Sequence, residues 1–594
     1  MGAIAWLFSI LYIYFTGMEK RWVQQPAPDT ATVEQLAASL NITPLLAAIL
    51  VQRNIHNFEE AKRFFRPKLS HLHDPFLMKD MHHAVSRIQR AIRKQEKVLI
   101  YGDYDVDGTT SVALVYGFLK PLFRHIDFYI PDRYTEGYGI SAKGIDWAAE
   151  QGFSLIIALD CGIRAVKLIG EARKKGIDFI VCDHHRPGDE LPPAYAILDT
   201  KQTGCAYPYK ELTGCAVGFK LLQGLCEKTH MDTAYLYEFL DLLAVSIAAD
   251  IVPITGENRI LECYGLEKLS RSPRPGLEML MEVAGLTPPL NVHNVVFGIG
   301  PRINAAGRME HAKAAVNLLL AENREEALAY ANNLNKRNAQ RKGVDTQITQ
   351  EAIAMIEENE HLKSAKTTVL FKNDWHKGVI GIVASRCIEK YYRPTIILTE
   401  SNSKATGSAR SVIGFDVYEA IQECAGLLEQ FGGHTYAAGL TLSLDKVPAF
   451  QQKFEEVVAS RIAEDLLIPQ IDIDQLIQLA DITPKFYNIL QQMAPFGPQN
   501  MQPVFKAENL TVEGGVQTLK EEHLKFNVRQ SSGHATFPAI AFGMVEKLSY
   551  INQGQSFQMV FTIEENHFNG HTSLQLMVKD IKPERSDGSS ALHR

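Results

Sequence analysis

The 594-residue sequence predicts a multidomain α/β protein: a parallel-sheet domain, a second α/β domain reached through a long helical segment, and a small β-barrel near the C-terminus. Three observations predict it. Strand-length apolar runs ("KVLIYGD", "HIDFYIPD", "SLIIALD", "IDFIVCD", "YAILD") alternate mostly with helix-length segments, as buried parallel strands do. The stretch "REEALAYANNLNKRNAQRKGVDTQITQEAIAMIEENEHL" is the longest helical candidate, followed by "TTVLFKN" and "PTIILTE" with glycine-rich loops near 407 and 432. Beyond "LLIPQIDID" the runs shorten ("HLKFNVRQ", "FPAIAFG", "SFQMVFTIEEN", "TSLQLMVKDIK") and read as a barrel. The length also exceeds what one core supports.

Taken in order, residues 18–95 are expected to form small helices packed on the first sheet, and 96–265 the parallel-sheet domain. A helical connector at 266–365 leads to the second α/β domain at 366–460. The barrel occupies 465–582, and 583–594 is a disordered tail. The opening "MGAIAWLFSILYIYFTG" is apolar, but shorter than the roughly 20 residues of a membrane helix, and no Lys or Arg precedes it. It is expected to be an upstream extension with Met18 as the start; a signal-anchor stays open, and no later segment reads as membrane-spanning. Eight cysteines form no CxxC pair, which argues against zinc and suits reduced thiols in the cytoplasm. Cys161 and Cys182 read as small buried apolar groups. With a net charge of −7, any nucleic-acid surface has to be local.

"YGDYDVDGTT" sets Asp103, Asp105 and Asp107 at alternate positions before Gly108. Alternate side chains of an extended segment share one face, so these carboxylates converge. Their repulsion favours a neutral form unless a cation sits among them. A calcium loop is excluded, because Leu114 stands where its bidentate Glu belongs and a strand-like run precedes it. No GxxxxGK[ST] phosphate loop is present. Helix capping explains one of the three acids but not their alternation. "ALDCG" puts Asp160, and "VCDHHRPG" puts Asp183, His184 and His185, at the ends of further strands, and such ends share one crevice. Asp250 lies inside the apolar run "LDLLAVSIAADIVPI" and needs a partner. A mixed imidazole–carboxylate set suits Mn²⁺ or a similar borderline metal.

In order and spacing, "DYDVDG", "LDCG", "DHH" and "AADIVP" resemble the four motifs of the DHH phosphoesterase superfamily. More narrowly, "IPDRYTEGYG", "GIGPRINAAGRM", "WHKGVIGIVASR", "GSARSVIGFDVYEA", "FGGHTYAAG" and "APFGPQNMQPVF" are similar to signatures of the bacterial RecJ family of single-strand-specific exonucleases. The resemblance runs from Met18 to about residue 580; "LDT" at 198–200 departs from the asparagine–proline expected there. It implies a DHH domain, a DHH-associated domain and an OB-type barrel. It implies two divalent cations, Mn²⁺ ahead of Mg²⁺, at Asp105, Asp107, Asp160, His184 and Asp250, with Asp160 bridging and Asp103 in or behind the ligand set. His185 would face the scissile phosphate. Arg302, Asn304, Arg308, Ser408, Arg410, Gly432, Gly433 and His434 would handle phosphates. The implied activity is 5′→3′ hydrolysis of single-stranded DNA to 5′-mononucleotides in repair and recombination. The implied partners are single-strand-binding protein and a helicase, for a monomer without a membrane.

Lys336, Arg337, Arg341 and Lys342 are read equally as DNA contacts or as a solvated helix face. Lys520, His523, Lys525 and Phe526 are candidate base contacts on the barrel, Phe526 equally a core residue. Two other readings remain: a DHH phosphodiesterase for short oligonucleotides or cyclic dinucleotides, and a non-catalytic DNA-binding scaffold. The intact motif acids weigh against the scaffold.

Overall fold

The computed structural model describes residues 18–584 apart from 532, 552, 553 and 569, so the expectations for 1–17 and for most of the tail lie outside the described residues. Among those residues, the first sheet has five parallel strands in the spatial order Ile126–Tyr129, Val98–Gly102, Leu155–Leu159, Asp178–Cys182 and Ala196–Leu198. Period-two alternation splits each strand between two cores. Val98 and Ile100 face the helices Val106–Leu119 and Gly214–Thr229, whereas Leu99 and Tyr101 face Ala142–Glu150 and Val166–Lys174. That is why these runs are apolar throughout. The chain reverses its winding between Val98–Gly102 and Leu155–Leu159, where a doubly wound sheet opens a crevice at the strands' carboxyl ends. Asp103 and Asp160 follow these two strands.

The helix Arg324–Glu357 spans about 50 Å at 1.5 Å per residue and carries the chain to the second sheet. That sheet runs Gln430–His434, Ala437–Leu442, Lys404–Arg410, Thr395–Ser401, Thr368–Phe371, and only its last pair is parallel. The regions near 407 and 432, expected as loops, are therefore strands. A Cβ at Gly407 would lie 2.5 Å from Leu398 Cδ2, so this glycine serves close strand packing rather than a turn. The C-terminal strands close into a barrel through the pairing of Phe505–Leu519 with Phe557–Phe568. Strand His523–Gln530 alternates buried and exposed residues; Phe526 falls on the buried side, edge-on to Phe557, and is core.

The 18–95 segment, expected to pack on the domain of the first sheet, divides between that domain and the C-terminal region. Met81–Lys94 covers that sheet, but Pro44–Gln52 is buried almost all round and shares a core with Phe486, Phe505 and Phe526 of the C-terminal region. A helix apolar on every face needs apolar surface on more than one side. Strand Arg21–Gln24 adds in parallel to Gln470–Ile473. Cys161 and Cys182 are buried as expected. Among the described residues, no single helix is long and apolar enough to cross a membrane.

Arg259 ties three regions together. Its buried guanidinium donates to the carbonyls of Phe64, Met493 and Ala494 at 2.9–3.1 Å and stacks 3.8 Å over the Phe64 ring. R259A leaves those carbonyls unpaired. It should cost about 3 kcal/mol and expose the 460–500 region to protease, read by urea denaturation and limited proteolysis.

Candidate metal centre

The acids collect because backbone geometry brings them to one point. Asp105 caps the helix Val106–Leu119, its Oδ1 accepting from Gly108 N at 2.9 Å. Asp107, in the first turn, accepts from Gly214 N (2.6 Å), Cys215 N (3.0 Å) and Ser246 Oγ (2.7 Å). Asp160 has a left-handed φ of 58°, and a Cβ at Gly214 would lie 2.6 Å from its Cβ. Only glycine lets that second helix start against the aspartate. Asp103 is fully buried, with Oδ1 accepting from Gly139 N at 3.2 Å. Asp250 ends the helix Leu240–Ala249 with its side chain partly exposed to the same cleft.

His184 Nε2 lies 3.1 Å from Asp160 Oδ1, 3.6 Å from Asp250 Oδ2 and 3.7 Å from Asp107 Oδ2. The groups Asp107–His184–Asp250 and Asp160–His184–His185 each bring three donor atoms within 4.8 Å of one another. Asp160 Oδ1, Asp103 Oδ2 and His184 Nδ1 are buried without a hydrogen-bond partner. Burial, and then the neighbouring carboxylates, push Asp103 and Asp160 well above the ordinary range, and Asp250 likewise. Burial also raises Asp105. Burial and the adjacent His185 bring His184 down to about 4, which keeps its imidazole neutral and able to coordinate. Unpaired oxygens, a neutral imidazole and crowded acids fit divalent cations of the Mn²⁺ or Mg²⁺ type.

His185 is held differently. Its Nδ1 lies 2.7 Å from Asp183 Oδ1, and Asp183 also accepts from the backbone N–H of Ile163, His184 and His185. Burial acts to lower His185, but Asp183 prevails and pushes it up to about 9. Asp183 itself, which burial would raise, is held far below the usual range by His185.

The opposite wall is cationic. Burial, with Arg133, Arg410 and Arg341 nearby, brings Arg308 down to about 9; burial and Arg133 bring Arg410 to about 10. Arg308 donates to Gly378 O at 2.9 Å, and Arg410 to Ser408 Oγ at 3.0 Å. His434, on the exposed edge strand with Gly432 and Gly433, is lowered by burial and Arg410 and lies within electrostatic reach of His185. Such crowding of cations suits a polyanion between the walls.

Arg302 and Asn304 share the helix Gly300–Met309 with Arg308. Arg302 is occupied by Gly298 O and Asn335 Oδ1, and Asn304 is half-buried. On the long helix, Arg341 is buried against Asn338 and Asp345 and Arg337 pairs with Glu310, whereas Lys336 and Lys342 are exposed. Arg133 and Tyr138 had no role assigned from sequence, although "IPDRYTEGYG" contains both. Arg133 stacks 4.9 Å over Tyr104 among the cations.

The raised acids fix a pH dependence. Above about pH 4 the unfolded chain has lost protons that the folded metal-free site retains, so stability falls as pH rises. Saturating Mn²⁺ should therefore raise Tm more at pH 8 than at pH 6, as scanning calorimetry would show. D160N should raise metal-free stability by on the order of 1–3 kcal/mol and abolish most of the Mn²⁺ shift.

Three family models match the chain: "DHH family, N-terminal domain" at 97–247, "DHHA1 domain" at 364–460 and "RecJ OB domain" at 473–580. The single-stranded-DNA-specific exonuclease RecJ of Bacillus subtilis is 39% identical, over 94% of this chain and 70% of its own length. Its Escherichia coli counterpart is 32% identical, over 95% of this chain and its full length. The crystal structure of Thermus thermophilus RecJ in complex with Mn²⁺ superposes with a TM-score of 0.81 at 28% identity, covering 96% of this chain and 81% of that one. A Mg²⁺ complex of the same protein gives 0.75 at 27% identity, covering 96% and 80%. The chain belongs to the RecJ family, with the DHH, DHHA1 and RecJ OB domains in that order.

Proposed function

We propose that this chain is a single-stranded-DNA-specific exonuclease that hydrolyses phosphodiester bonds from the 5′ end and releases 5′-mononucleotides. One observation carries the reading: a crowded acid–histidine cluster faces a wall of unneutralised arginines across the crevice of the first sheet. Asp105, Asp107, Asp160, His184 and Asp250, with Asp103 beside them, would hold two divalent cations, Mn²⁺ ahead of Mg²⁺. Bound cations supply Lewis-acid neutralisation of phosphate charge and activation of water near neutral pH.

The chain's own residues do the rest. Ser246 and the N–H groups of Gly214 and Cys215 fix Asp107, so the ligand set is preformed. His185, protonated against Asp183, presents a positive edge to the scissile phosphate. Arg308 and Arg410, with Arg302, Asn304, Ser408, Gly432, Gly433 and His434 around them, receive the 5′ end and its neighbouring phosphates. The barrel holds the strand behind. This assigns chemistry to 96–265, end recognition to 366–460 together with the connector helix Gly300–Met309, and strand binding to 465–582. Single strands inside cells arise by unwinding and become coated, so the proposal extends to a cytoplasmic monomer working with a helicase and single-strand-binding protein.

The test is Mn²⁺ with long single-stranded DNA labelled at its 3′ end. Progressive shortening of the labelled strand with release of 5′-mononucleotides is expected. Chelator or D160A should slow it about a thousandfold, the several kcal/mol of a lost metal centre. Uncut long DNA in a protein that hydrolyses dinucleotides would move the reading to the short-substrate phosphodiesterase. R410M should raise KM about tenfold and lower the salt slope of DNA binding by about one, measured by fluorescence anisotropy.

A further inference from the structure

Tyr138 stands beside the catalytic cluster. The residue is 50% exposed, yet its loop is not free. Gly137 and Gly139 flank it with φ of 86° and 78°, a backbone that side chains disfavour. Gly139 is anchored on both sides: its N–H donates to Asp103 Oδ1, and its carbonyl accepts from the buried Tyr101 hydroxyl at 3.1 Å. Upstream, Asp132 closes the turn by accepting from Tyr134 N and Thr135 N. The tyrosine is therefore presented by a pinned loop.

Its hydroxyl lies 3.3 Å from His185 Nε2 and 3.3 Å from the Asp160 carbonyl. The ring meets His185 edge-on at 5.9 Å, and Tyr104 packs edge-on against its other side at the same separation. The two ring nitrogens are therefore held from opposite sides: Asp183 Oδ1 meets Nδ1 and the Tyr138 hydroxyl meets Nε2, while the Tyr138 O–H lies in reach of the Asp160 carbonyl as donor. We propose that Tyr138 is a positioning residue whose hydroxyl holds the Nε2 edge of His185 toward the scissile phosphate. Asp183 fixes one nitrogen and Tyr138 the other, so the imidazole plane is set before substrate arrives. Both Tyr138 contacts are at the long end of hydrogen bonding, so the Nε2 edge can be released to a phosphate oxygen without a large loss. The order within the site is thereby prepaid, as preorganised catalysis requires. Nothing moves covalently at Tyr138.

The inference rests on the reading of His185 given above, and a double-mutant cycle separates the two. Wild type, Y138F, H185N and Y138F/H185N are compared with Mn²⁺ and single-stranded DNA. Single-turnover rates, KM and the Mn²⁺-induced Tm shift are measured for each. Y138F is expected to lower kcat about tenfold, the usual effect of losing an orienting partner, with KM and the Tm shift unchanged. In the H185N background the same change should have no further effect. Full activity in Y138F while H185N is impaired overturns the inference and leaves the His185 role intact. A tenfold loss that persists in H185N, or one that appears in KM, also overturns it, because Tyr138 would then act on the strand directly. An unimpaired H185N removes the reading beneath both.

Discussion

Mutual repulsion among Asp103, Asp105, Asp107, Asp160 and Asp250 is the constraint around which this molecule is arranged. Left to itself, a set of acids this close would separate or take up protons. It stays together because each carboxylate is set by groups that cannot easily move. Asp105 is a helix cap, Asp107 is gripped by a second helix N-terminus and Ser246, and Asp103 is tied to Gly139. Glycine at 214 admits that helix to within contact of Asp160. The two apolar cores flanking the sheet supply the rigidity against which this charge is compressed.

The cationic wall carries the complementary strain. Arg133 lies close enough to help burial lower both Arg308 and Arg410, and these two half-buried guanidinia are hydrogen-bonded to carbonyls and a hydroxyl. Among the described residues no ion pair joins Arg308 or Arg410 to these acids; in the proposed function, cations would sit against the acids and phosphate against the arginines. Arg133 shares the domain of the acids, whereas Arg308 and Arg410 come from the connector and the second α/β domain, and the spacing is set where Tyr134 donates to Arg308 O and Arg308 donates to Gly378 O. A Cβ at Gly378 would strike Tyr134, Arg308 and His376 within 2.9 Å, so this junction admits no side chain there.

Much of this was legible in the sequence. Buried parallel strands read as continuous apolar runs, and acids placed just after them announced the crevice, because strand ends in such a sheet converge. Local rules failed where the answer lay in long-range packing. Gly407 and Gly432 looked like loop residues because a sequence does not show that Leu398 will pack over the first or that an edge strand will be left open at the second. Helix Pro44–Gln52 gave no sign of its partner, since an all-apolar helix fits any apolar surface; the barrel supplied it. Arg341 looked like a surface cation, but Asp345 one turn on buries it. Arg133 and Tyr138 carry no pattern of their own, and only the pinned loop shows where they point.

The central claim is that divalent cations replace protons at the acid cluster. The most direct measurement is calorimetric titration of the metal-free protein with Mn²⁺ in buffers of differing ionisation enthalpy, which counts the protons released. The account predicts net proton release that grows as pH is lowered from 8 to 6 and is sharply reduced in D160N. Tight Mn²⁺ binding with no proton release across that range would contradict it, since the carboxylates would then have been ionised and tolerating one another all along.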